Sequence, residues 1–359
     1  MQENDNILNL LREKGAEAAR RALRGIILQP GAIGDCVLTL PLAEFMKDCL
    51  ELGGVDILGH TEYIGIFPGR TCVDGVRSID SVDLHRLFAE TNTFDLLDGD
   101  ALINVFSDYA WIVTFLGEPD SSFEQNLIFT ANCSRSAEVI TLSMHPAPRR
   151  GGVKPSEKSS AHITDFYIQQ FIAQSGLSLE PRLVCKTKSL IKATKADINK
   201  GRELLEEINV DFNEKLVVIQ PGSGGLHKCC HLDNFLAVAE KLISKNIQVV
   251  FLLGPAEVER LSESAMAEIE AVAEQLVNLP LADVLAVLSN ASGYIGNDSG
   301  ITHLAAAMGV KTVAVFGPTD STVYSPIGPD IKVVASSDAD FAKKPSASLQ
   351  QELLETLTA

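Results

Sequence analysis

The residues whose types and spacing could do chemistry sit in four glycine-bearing loops. They are P-G-A-I-G-D at 30–35, P-G-S-G-G-L-H-K at 221–228, G-P-A-E at 254–257 and G-N-D-S-G-I-T-H at 296–303. In the last, Asp298, Ser299, Gly300 and His303 stand between an apolar run and an alanine-rich one. Ile301, Leu304, Ala305 and Met308 recur at helical spacing, so a helix is expected from near Ser299 with Asp298 at its N-cap. The unbonded N–H groups of a first helical turn, with the helix dipole behind them, favour a phosphate, and glycine lets it come close. His303 shares the face of that turn and can reach the same ligand. The alternative is a capped helix with a structural histidine inside.

The other loops divide by charge. The second has no acid in 221–228, and its free backbone donors with Lys228 suit a diphosphate. Glu257 lies just past a strand-like run, where acids accept hydrogen bonds from ribose hydroxyls. Asp35 would repel a phosphate from its helix entrance; it reads either as a cap or as a base. The run H-K-C-C-H at 227–231 suggests zinc, but neighbouring cysteines rarely share one tetrahedral ion and no second ligand pair has finger spacing, so no metal is expected. Neither a G-x-S-x-G elbow nor a G-x-G-x-x-G fingerprint occurs, which argues against a serine hydrolase and a nicotinamide dehydrogenase.

Strand-like runs alternating with helical ones must position these loops, which predicts doubly wound parallel sheets. Strands are expected at 25–29, 55–58, 101–106, 126–130 and 138–142, then at 215–220, 247–253, 293–296, 311–316 and 331–335. Helices are expected at 36–47, 161–175 and, amphipathic, at 349–357. The halves open alike: G-I-I-L-Q-P-G at 25–31 and L-V-V-I-Q-P-G at 216–222 each give strand, Gln-Pro-Gly and a glycine loop. Two similar domains facing a cleft follow, with ligands beyond the carboxyl ends of the strands.

Size and composition fit that picture. With 359 residues the chain exceeds one ordinary core, and 46% hydrophobic with 21% charged residues is ordinary for a globular protein. No apolar run is long enough to span a membrane, and residues 1–24 mix Glu, Lys and Arg without the apolar stretch of a secretory signal. Seven cysteines without a C-x-x-C pair fit reduced thiols, hence a cytoplasmic location. A net charge of −17 argues against nucleic acid. Two segments run against it: 12–24, and 144–160 with Arg149, Arg150, Lys154 and Lys158. Each reads as a solvated surface or as contact with an anionic acceptor or membrane.

Taken together the loops resemble glycosyltransferase family 9, the ADP-heptose:lipopolysaccharide heptosyltransferases. The blocks that carry this are P-G-A-I-G-D-C-V-L-T-L-P at 30–41, P-G-S-G-G-L-H-K, G-P-A-E, G-N-D-S-G-I-T-H-L-A-A-A-M-G-V at 296–310 and F-G-P-T-D at 316–320, in order from about residue 25 to 330. The resemblance implies a GT-B fold of two Rossmann-like domains, an acceptor domain at 25–185 and a donor domain at 186–336; the extension at 1–24 is extra to the family, and a tail helix is expected at 337–359. It implies Asp35 as base on the acceptor hydroxyl, with Lys228 assisting catalysis. Ser223, Gly224 and Lys228 would meet the donor diphosphate and Glu257 the ribose. Asp298 would hold sugar hydroxyls, the N–H groups of Ser299, Gly300 and Ile301 the phosphates, and His303 would support them.

The expected activity is inverting, metal-independent transfer of a sugar, heptose from ADP-heptose, to a lipopolysaccharide-core or other glycan acceptor. Arg149, Arg150 and Lys154 are the expected acceptor contacts, with peripheral contact at the inner membrane surface. A sugar-nucleotide epimerase of the same fold, or a non-catalytic nucleotide-sugar-binding protein, are the alternatives. The chain departs from the family where Cys229-Cys230-His231 follow the lysine and across about 105–160, the half that selects the acceptor.

Overall fold

The computed structural model describes residues 23–146, 161–178, 188–336 and 340–358. They form two compact units, one of 23–31, 39–146 and 163–178, the other of 32–38, 161–162, 188–336 and 340–358. The N-terminal extension before residue 23 and the basic loop with Arg149, Arg150, Lys154 and Lys158 lie outside the described residues.

The first unit carries five parallel strands, β1 (Arg24–Gln29), β2 (Gly54–Gly59), β3 (Gly75–Ser78), β4 (Tyr109–Thr114) and β5 (Glu138–Thr141), in the order β3-β2-β1-β4-β5. Ile26 and Leu28 of β1, Leu58 of β2 and Ile112 of β4 pack with Phe106, Phe123 and Leu127 from flanking helices. The second carries β6 (Leu216–Gln220), β7 (Gln248–Leu253), β8 (Glu274–Val277), β9 (Gly293–Asn297), β10 (Thr312–Phe316) and β11 (Ile331–Ala335), in the order β11-β10-β9-β6-β7-β8. The first strand of each sheet therefore lies between its second and its fourth, the doubly wound order. The place where that order reverses is β1/β4 in one sheet and β6/β9 in the other, where such folds bind ligands.

Two expected strands are helices. Ala101–Phe106 is helical because Asp100 caps it, accepting from Leu102 N–H at 3.0 Å, while Arg86 grips the same carboxylate at 2.8 and 2.9 Å. A short apolar run cannot be told from a strand by periodicity, and its cap decides here. Residues 126–130 lie inside the helix Ser122–Asn132, capped by Ser121, and Asn126 donates to the carbonyls of Leu87 and Ala89. The strand of this region is instead β4, Y-A-W-I-V-T, rich in aromatic and β-branched residues. β3 and β8, with four residues each, also went unread in the sequence. The tail helix, Ala347–Thr358, drives Leu349, Leu353 and Leu357 into the core of the second unit.

Candidate active site

β6 and β9 are parallel neighbours, paired from Val217 with Gly293 to Gln220 with Gly296. Their carboxyl ends release the 221–225 and 298–299 loops at the switch point, so the chain order of two distant segments becomes one locus. Ser223 Oγ donates to the Asp298 carbonyl, and Asn297 Nδ2 donates to the Pro221 carbonyl at 2.6 Å. These bonds tie the loops together and leave the Ser223 hydroxyl, in a residue 4% exposed, committed to protein.

Asp298 is not the N-cap. The helix Gly300–Met308 starts one residue later than expected, and Ser299 caps it, its Oγ accepting from Thr302 N–H at 3.3 Å. Freed from capping, the Asp298 carboxylate lies 2.8 Å from Lys228 Nζ and 3.8 Å from His303 Nε2. The first is an ion pair off the hydrogen-bonding direction, since Oδ2 has no directed donor among the described residues; nor has His303 Nδ1. Burial pushes the Asp298 carboxyl up, but His303 and Lys228 outweigh it and hold the acid down at about 2. A buried carboxylate that stays ionised, a half-exposed lysine and a histidine with an unused ring nitrogen thus meet at an anion-attracting helix end. Such a group can accept from sugar hydroxyls while the cation and amides face a phosphate.

Glu257 is 4% exposed and lies under the glycine loop. Its Oε2 accepts from Gly254 N–H at 2.9 Å, and a Cβ on Gly222 would meet Oε1 at 1.9 Å, so only glycine fits there. Gly224 by contrast faces open space. Arg260 holds this loop from the other side, donating to the carbonyls of Ser223 at 2.8 Å and Gly224 at 2.9 Å. Lys228 rides on the short turn Leu226–Lys228, closed by its own N–H to the Gly225 carbonyl.

Asp35 stands in the first turn of the helix Ile33–Cys49, which starts three residues earlier than expected, and its Oδ2 accepts from Ala32 N–H at 3.1 Å. The cap reading of this residue therefore has a bond behind it. Residues 32–38 cluster with the second unit, and within that unit the two glycine-bearing first turns abut. A Cβ on Gly300 would come 2.7 Å from Ile33 Cβ, and one on Gly34 would come 3.2 Å from His303 Cδ2. Asp35 thus stands one residue from the wall of the Asp298 and His303 cluster. Tyr324 is also in reach: burial, then the negative charges of Asp35 and Asp320, push its phenol up.

The unusual Cys229-Cys230-His231 segment is built into the fold. Cys229 Sγ lies 3.6 Å from the Gly225 carbonyl, and Cys230 enters the core with its thiol pushed up to about 12 by burial. His231 caps the helix Leu232–Ile243. Among the described residues no three His, Cys, Asp or Glu converge as a metal site. Sequence reading assigned no part to Arg260 and Tyr324, which lie outside its motifs, or to Asn297, which stands inside G-N-D-S-G, and showed Gln220 only as part of a repeat.

Residues 176–353 match the model of glycosyltransferase family 9 (heptosyltransferase). Two curated relatives, each a lipopolysaccharide heptosyltransferase 3, come from Escherichia coli and its strain K12. They are 23% identical over 304 residues, covering 82% of this chain and 83% of the relative, and 25% identical over 310, covering 82% of each. Among solved structures, the family 9 glycosyl transferase of Veillonella parvula aligns over 94% of this chain and 96% of its own, with a TM-score of 0.66 at 15% identity. The Escherichia coli ADP-heptose heptosyltransferase II aligns over 94% and 98%, with a TM-score of 0.64 at 15% identity. These likenesses show the GT-B fold. With the family match, the chain belongs to glycosyltransferase family 9, the heptosyltransferase family, and is a glycosyltransferase.

Proposed function

We propose that this glycosyltransferase is inverting and metal-independent, and moves heptose from ADP-heptose to a lipopolysaccharide-core or other glycan acceptor. The observation that carries the reading is the Asp298 and Lys228 pair, 2.8 Å apart, at the N-terminal turn of the helix Gly300–Met308. Lys228 and the N–H groups of Ser299, Gly300 and Ile301 donate to a diphosphate, while Asp298 accepts from the sugar's hydroxyls and Glu257 from those of the ribose. Asp35 takes the acceptor proton as the anomeric carbon is attacked, and the charge leaving on the diphosphate is met by Lys228 and the helix amides. Heptose follows from the relatives' activity, and a lipopolysaccharide acceptor would bring the protein to the inner face of the cytoplasmic membrane. No helix among the described residues is long and apolar enough to cross it. Residues 25–185 are assigned to the acceptor and 186–336 to the donor.

Calorimetry of the purified chain against ADP, GDP and UDP should single out ADP. Incubation with ADP-heptose and an extracted heptose-deficient core, in excess EDTA, should release ADP only when the acceptor is present. Conversion of the nucleotide sugar without acceptor would overturn transfer. Turnover lost in EDTA and restored by magnesium or manganese would overturn metal independence.

A further inference from the structure

The Gln-Pro-Gly repeat leaves one residue type without a part in that chemistry. Both strands of that repeat end in glutamine, Gln29 and Gln220, and the two side chains are used differently. Gln29, wholly buried, accepts from Gly31 N–H at 2.9 Å and donates to Thr39 Oγ1 at 2.7 Å. It fastens its own loop to the helix that follows. Gln220, 7% exposed, reaches other elements: Nε2 donates to Glu257 Oε1 at 2.8 Å, and Oε1 accepts from Ser299 Oγ at 2.8 Å and from the Tyr294 hydroxyl at 3.0 Å.

Chemistry dictates the direction of this amide. An ionised carboxylate only accepts, so the NH₂ end must face Glu257 and the carbonyl end is left for the hydroxyls. Ser299 has one hydroxyl proton, and Gln220 Oε1 takes it. The serine oxygen is then free to accept from Thr302 N–H and cap the helix. Gln220 is therefore the link between the carboxylate of one loop and the helix cap of another. On the far side of Glu257, Gly222 leaves just the room the carboxylate fills.

We propose that Gln220 is a positioning residue for the nucleoside diphosphate: it holds Glu257 and Ser299 at one fixed separation, so that ribose and diphosphate are received together. This rests on the nucleotide site proposed above. Gln220→Leu removes both halves of the link. Gln220→Glu is close to isosteric, keeps an oxygen for Ser299 and Tyr294, and opposes Glu257 with a second oxygen, so it guards against a Leu variant that does not fold.

The test is calorimetry, well below the melting temperature, with whichever of ADP, GDP or UDP the parent binds. The proteins are the parent, both Gln220 variants, Glu257→Gln, and Glu257→Gln combined with each Gln220 change. Each folded Gln220 variant should bind about tenfold or more weakly, as expected for loss of a buried hydrogen bond to a charged group. Each double variant should be no weaker than the worse of its singles, because both changes break the same link. Affinity within twofold of the parent in a folded Gln220 variant, or losses that multiply in the double variants, would overturn the role of Gln220 alone. A parent that binds none of the three nucleotides would overturn the nucleotide site and this role with it.

Discussion

At the scale of single residues, the site sets one buried acid against two basic groups, and each member makes a separate forecast. Lys228→Ala removes a charge-assisted contact worth roughly 1.5–3 kcal/mol, so ADP affinity should fall by about tenfold or more in calorimetry. An unchanged affinity would take Lys228 out of the site. Asp298 forecasts a pH dependence. Its folded acid lies at about 2 against an ordinary 3.8, so the ionised form is favoured by folding. That stability is complete above the ordinary value and is lost as pH falls through the folded one, a window from about pH 4 to pH 2 worth on the order of 2 kcal/mol. Urea unfolding across this window should show the parent losing about that much more than Asp298→Asn; parallel curves would contradict the ion pair. For Asp35 the cap and base readings diverge. Asn keeps an oxygen for Ala32 N–H, so stability should hold, yet it cannot take a proton, and general-base assistance typically contributes 10²–10⁴-fold. Asp35→Asn should therefore transfer sugar at least about a hundredfold more slowly while binding ADP as before; a rate near the parent's would make Asp35 a cap only.

At the scale of elements, legibility in the sequence followed burial and caps. The buried strands of the second unit, such as β6, β7 and β10, were plain as β-branched runs next to glycine loops. The same rule failed at Ala101–Phe106 and Ser122–Asn132, where apolar residues are just as dense but Asp100 and Ser121 start helices. There the informative residue lay outside the apolar run. At the site, the glycine loops and Asp298, Lys228 and His303 were visible as motifs. The shift of the cap from Asp298 to Ser299 was not, because both residue types cap equally well and only the start of the helix decides. Gln220 and Arg260 act across strands, and no local spacing announces a partner 37 residues away. The tail helix offers a test at this scale. Leu353 is fully buried in the second unit's core, so Leu353→Ala should cost about 2–5 kcal/mol in denaturant unfolding. A loss under 1 kcal/mol would mean that the helix is dispensable to that core.

At the scale of the whole molecule, one strand order serves twice and charge divides the labour. Both sheets place their first strand between the second and fourth, so each has a switch point, but the described anion-attracting cluster lies at β6/β9. The chain as a whole carries −17, a field that repels a phosphorylated or carboxylated glycan. Against that field, Arg149, Arg150, Lys154 and Lys158 gather four cations into ten residues. They fall in the stretch of sequence least like the family, within the half proposed above to receive the acceptor. If they meet the acceptor, exchanging all four for Ser should raise the acceptor KM and leave ADP affinity alone. The rise should be greatest at low salt: at about 0.01 M the screening length is roughly 30 Å, so the loop's attraction reaches far, whereas at about 0.15 M it is near 8 Å and parent and variant should converge. Steady-state kinetics at both ionic strengths decides the matter. An acceptor KM that does not move at either would return the four residues to a solvated loop, and the acceptor's charge would have to be met elsewhere on an acidic protein.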